Sequence, residues 1–140
     1  MKSVVLKKIS LWLPPVLWAA LIFHFSSGKI FVASAIYWQD FTVKKIGHVL
    51  LFGFLAVFIY RGLRGEGVSG KKAVIWAIII STLYGAIDEY HQLFTQGREG
   101  RVRDVFIDGT GAAIFTLLTY WLLPKLPKKF KIYAESLNFI

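Results

Sequence analysis

The chain has no cysteine among its 140 residues. Disulfides, thiolate metal sites and a cysteine nucleophile are therefore excluded, and the redox compartment leaves no trace in the sequence. Charge is also scarce, at 18% of residues, and only eight side chains are acidic. Proline occurs four times, twice as the pair Pro14-Pro15. Long polar runs are missing as well. The abundant class is apolar, 56% of the chain with a mean hydropathy of +0.56, above the roughly 45–50% of a soluble protein. The excess sits in blocks, which is the signature of membrane segments. The net charge of +9 would suggest nucleic acid in a soluble protein. Here the lysines border apolar blocks, and no nucleic-acid motif or separate basic domain is present. An anionic lipid surface is the expected partner, not nucleic acid.

Four blocks organise a single domain, residues 1–140. After a basic lead with Lys2, Lys7 and Lys8, Ile9 to Phe25 is apolar, with Pro14 and Pro15 near its start, where a helix tolerates them best. Ala33-Ser34-Ala35 has the small-x-small form of a signal-cleavage site, but lies about ten residues beyond the apolar core, so the block is read as a retained span. Residues 26–45 mix aromatics with polar neighbours. That stretch reads either as a short interfacial helix or as a solvated loop. Ile46 to Tyr60 and Ala73 to Ile87 are each only about fifteen residues, against the roughly 20 a span needs. Both must therefore continue outward through polar residues, the first through His48, Lys45 and Lys44, the second through Asp88 to Gln92. Val105 to Leu123 is long enough alone. The expected architecture is all-α: an integral membrane bundle of four transmembrane helices, near 9–27, 44–62, 72–93 and 104–123. A basic tail, 124–140, follows Pro124 and is read as an interfacial or disordered cytoplasmic segment. Gly109 and Ala113 form a small-x-x-x-small pair suited to close helix contact.

Lysine and arginine in the connections set the orientation. The lead, the 61–72 turn and the tail carry eleven; the opposite side carries six. Both termini are expected in the cytoplasm of a bacterial cell, and the stretch from Tyr84 to Asp108 on the outer face of its membrane. That stretch holds five of the eight acids. Charges at membrane depth are costly and need partners. The expected cluster joins His48 and Lys45 on the second helix, Asp88, Glu89, His91 and Gln92 on the third, Arg98 and Arg101 in the loop, and Asp104 and Asp108 on the fourth. His91, Asp88, His48 and Asp108 are the catalytic candidates. His91 with Asp88 reads either as a general base with its orienting carboxylate or as a structural pair. Arg98, Arg101, Glu89, Gln92, Asp104 and Lys45 are the ligand-binding candidates, the arginines as forked anion donors. Histidine and carboxylates also suit zinc or manganese. No His-Glu-x-x-His or comparable local motif is present, so no metal and no cofactor is assigned.

Asp88-Glu89-x-His91-Gln92-x-Phe94, Gly97-Arg98, Asp104 and Asp108-Gly109-x-Gly111-Ala112 together resemble the VanZ-like family of membrane proteins. Phe25-Ser26-Ser27 and Lys45-x-x-His48 fit as well, and the resemblance covers roughly residues 10–123. Family members often carry Asn where Asp108 stands. The resemblance implies low-level resistance to lipoglycopeptides such as teicoplanin, exerted at the cell envelope. A lipid-linked or peptide cell-wall precursor, or the glycopeptide, is then the expected ligand. The residues also leave open a membrane-embedded hydrolase or transferase, and a structural subunit without catalysis.

Overall fold

The structure is a computed structural model describing residues 2–28 and 34–140, with side chains from residue 4 onward. Residues 29–33, which include the first residue of the Ala33-Ser34-Ala35 form, lie outside the described residues. The architecture is all-helical: α1 Lys2–Ser27, α2 Tyr37–Gly65, α3 Gly70–Gln92 and α4 Val102–Leu122, then a short 3-10 turn and α5 Lys128–Ser136. The first four are long and apolar enough to cross a membrane. At 1.5 Å per residue, the 29 residues of α2 reach about 44 Å and the 23 of α3 about 35 Å. Both exceed the roughly 30 Å hydrocarbon core. α2 begins at Tyr37, so the described part of the aromatic–polar stretch is not a separate interfacial helix. From Tyr37 it forms the first turns of α2, where Asp40 faces the positive end of the helix dipole.

The four helices run up, down, up, down. α2 is the hub: it packs on α4 most extensively, then on α3 and α1, while α1 also meets α3. The core comprises Ile22, Phe52, Leu55, Ile59, Tyr60, Ala73, Val74 and Ala77. Large apolar side chains such as Leu17, Phe54, Trp76, Ile87 and Leu118 point outward, as expected where the surroundings are lipid rather than water. At Gly111 the backbones of α2 and α4 are in close contact. A Cβ there would collide with the Val49 carbonyl and stand 2.8 Å from Val49 Cα. Gly109 faces Thr82 on α3 instead. The α2–α3 turn closes by a Schellman motif. Val68 N–H donates to Leu63 O at 3.0 Å and Gly67 N–H to Arg64 O at 2.9 Å. Gly67 takes φ +87°, which only glycine adopts without steric cost.

At the opposite end one expectation is corrected and one choice between alternatives is narrowed. α1 starts at Lys2, so Pro14 and Pro15 lie deep inside it rather than in its first turn. Proline at position 14 removes the N–H that would have reached the Ser10 carbonyl. Arg61 Nη1 supplies the missing donor at 3.0 Å. This is the kind of replacement that makes proline tolerable in a membrane helix. The tail also forms a helix rather than a disordered segment. Ala134 is buried, and the Leu137 carbonyl accepts from Arg61 Nε at 2.8 Å. One guanidinium thus ties α1, α2 and the tail together.

Candidate functional site

The helix polarity assembles the site. α1 and α3 end, and α2 and α4 begin, at the same end of the bundle. The polar extensions of the two short apolar blocks therefore meet there. Deepest lies the pair His48–Asp108, with Nδ1 2.9 Å from Oδ1. Beside it, Asp88 Oδ2 accepts from Ser26 Oγ at 2.5 Å and from Gln92 Nε2 at 3.0 Å. Glu89 Oε2 accepts the backbone N–H of Arg101 at 2.8 Å. Gly100 makes that possible: it rests on the Glu89 carbonyl, and any side chain there would push the loop away. Asp88, Glu89 and Asp108 are 3%, 4% and 0% exposed. One layer outward, Lys45 Nζ donates to Asp104 Oδ2 at 2.5 Å, with Arg103 Nε at 3.4 Å from the other oxygen.

The ten residues singled out from sequence come together at this end, but not all in the expected pairs. His91 does not bond Asp88. Its Nε2 shares a 3.1 Å hydrogen bond with Ser27 Oγ, and its ring lies on Phe23, centroids 4.6 Å apart. The reason is helical phase. From Asp88, His91 is rotated by about 60° one way and Gln92 by only about 40° the other. Gln92 therefore takes the carboxylate and His91 swings towards α1. Arg98 also differs: it donates to the carbonyls of Phe25 at 2.5 Å and Gly28 at 3.4 Å. It neutralises the negative C-terminal end of α1. Arg101 pairs with Glu99 at the rim. That hydrogen-bonded guanidinium holds the Glu99 carboxyl below the usual glutamate range, and the pairing raises Arg101 in turn. Ser26 and Ser27 are the partners that sequence reasoning passed over. The Phe-Ser-Ser end of α1 was the available signal.

An open cleft of about 360 Å³ sits above this knot. His48 and Gln92 form part of its wall. Five cations line it (Lys44, Lys45, Arg98, Arg101 and Arg103) against three anions, Asp40, Glu99 and Asp104. With His48 neutral the lining carries a net charge of +2. Phe41 also lines it, 5.0 Å from the Arg103 guanidinium and 5.5 Å from Lys45 Nζ. Tyr37 and Trp38 are exposed beside it, as interfacial aromatics are.

Apolar helices of spanning length with an ionisable knot at one end define a small multi-pass membrane protein. Residues 4–123 match the VanZ/LLP1 family model, and the chain belongs to this family. No curated protein and no solved structure matches it.

Proposed function

We propose that this VanZ-like protein sits in the bacterial cytoplasmic membrane with both termini in the cytoplasm. Its cleft binds the anionic headgroup of a membrane-borne envelope component, a phospholipid or a lipid-linked cell-wall precursor. By doing so it gives low-level protection against lipoglycopeptides such as teicoplanin. The observation that carries this reading is the cationic cleft, lined by Phe41 and Tyr37, at the polar end of four span-length helices, where a headgroup layer would lie. The uneven distribution of lysine and arginine supports the orientation.

A cysteine-free chain makes the topology directly testable. A single cysteine at exposed Gln96 should react with a membrane-impermeant maleimide in intact cells, and one at Glu66 should react only after permeabilisation. The functional test is teicoplanin susceptibility in a host that the wild type protects. Arg103→Gln, which removes a cleft cation, should weaken protection. Asp88→Asn should abolish it through loss of the buried charge, while the fold is kept because the retained oxygen can still accept from Ser26 and Gln92. Equal susceptibility of wild-type and Asp88→Asn cells, at equal membrane abundance, refutes the reading. A second reading, a membrane-embedded hydrolase or transferase acting on the same lipid, is favoured by one observation. Asp88 Oδ1 and Asp108 Oδ2 are buried without any hydrogen-bond donor. In that reading His48, in the cleft wall, is better placed than His91 to touch a ligand.

A further inference from the structure

Three carboxylates, Asp88, Glu89 and Asp108, are buried together near His48. Their donors are the Ser26 hydroxyl, the Gln92 amide and the Arg101 backbone N–H, all neutral. Among the described residues no lysine or arginine side chain bonds any of the three; Lys45 and Arg103 are taken by Asp104. Even with His48 protonated, an excess of two negative charges remains in a nearly dry site. Buried carboxyl groups of that kind are paired, bind metal or take up a proton. Two oxygens are also left over. Asp88 Oδ1 has no donor, and neither has Asp108 Oδ2 on a side chain with no exposure. Asp108 Oδ2 is directed at α3: a Cβ on Gly85 would stand 3.0 Å from it. Asp88 and Glu89 occupy the next turn of that helix.

We propose that His48, Glu89 and Asp108 form a divalent metal site, one ligand from each of α2, α3 and α4. Ligand atoms of the three lie within 4.8 Å of one another. Bonds of about 2.0–2.2 Å place the ligands of a tetrahedral ion roughly 3.3–3.6 Å apart. Side-chain rotations that draw the ligand atoms together by about an ångström complete the site. Loading replaces the direct His48–Asp108 bond by two bonds through the ion, releases any proton on His48, and cuts the excess from three negative charges to one. One nitrogen with two carboxylates suits zinc or manganese better than calcium or magnesium. The sequence hid this site because its ligands are separated by 41 and 19 positions in the chain and form no local motif. His48 is 21% exposed and faces the cleft. The ion's open position is therefore on the cleft side, within reach of an anionic oxygen held by the basic lining. That last point alone rests on the cleft reading above.

The test uses the full chain in detergent, stripped with chelator, and titrated with zinc chloride or manganese chloride alone. Calorimetry should give one ion per chain and a raised melting temperature. Manganese should show a protein-bound electron paramagnetic signal with nitrogen coupling from His48. Glu89→Gln and Asp108→Asn should each weaken binding roughly tenfold or more, while Glu135→Gln, exposed in α5 and remote from the site, leaves it unchanged. Wild type that takes up neither ion overturns the proposal whatever the variants do. So does binding that survives Glu89→Gln and Asp108→Asn together, or a manganese signal without nitrogen coupling. No headgroup or drug enters this experiment, so its failure is distinct from failure of the cleft reading.

Discussion

Gly111→Ala is a small change with a large expected effect. The added methyl would point into the backbone of α2 at Val49, where nothing flexible can move aside. The two helices must part by roughly half an ångström or more, and close-packed interiors yield poorly to that. Overpacking of this kind costs about 1–3 kcal/mol. The α2–α4 contact also carries the His48–Asp108 hydrogen bond one turn away. Stretching it from 2.9 Å by the same amount brings it close to the limit for a hydrogen bond. A bond to a charged group adds about 1.5–3 kcal/mol when lost. The two costs share one displacement and do not add fully, so a loss of about 2–4 kcal/mol is expected. Gly47→Ala is the control. It lies on the same helix near His48, and a Cβ there meets nothing within 4 Å. It should be neutral, or stabilising by up to about 1 kcal/mol through helix propensity. Thermal unfolding in one detergent compares the two. Equal melting temperatures for Gly111→Ala and Gly47→Ala would falsify the claim that this helix contact is tight.

Three further outcomes follow from other contacts. Arg61→Met orphans the Ser10 and Leu137 carbonyls; it should cost about 1–2 kcal/mol and speed hydrogen exchange in residues 134–139, and unchanged exchange there refutes the tie. Lys45→Met exposes the nearly buried Asp104 to partial loss of compensation. The cost should be about 1–3 kcal/mol, reduced from the fully buried case because Arg103 remains nearby, and a double-mutant cycle with Asp104→Asn should give a coupling of about 1–2 kcal/mol. Additive single effects would show that the pair is not coupled. The Glu99 carboxyl is depressed by Arg101, so the rim pair contributes at neutral pH and is lost as pH falls through a value below the ordinary glutamate range of about 4.3. An NMR titration of Glu99 should show this, and Arg101→Gln should return it towards the ordinary value.

The sequence by itself determined the all-helical class, the four spans and the end at which ionisable residues gather. Block length did this: apolar runs near fifteen residues had to be completed by Lys44 to His48 and by Asp88 to Gln92. Hydropathy and rise per residue are one-dimensional quantities, readable without coordinates. Tertiary structure decided who pairs with whom. Asp88 bonds Ser26 rather than His91, Arg98 serves the end of α1, and Asp108 meets His48 because Gly111 lets α2 and α4 close. Such pairings depend on rotations of tens of degrees and separations of tenths of an ångström between helices distant in sequence. Spacing along α3 can favour Gln92 over His91 as the neighbour of Asp88, but it does not say which residue of another helix meets either.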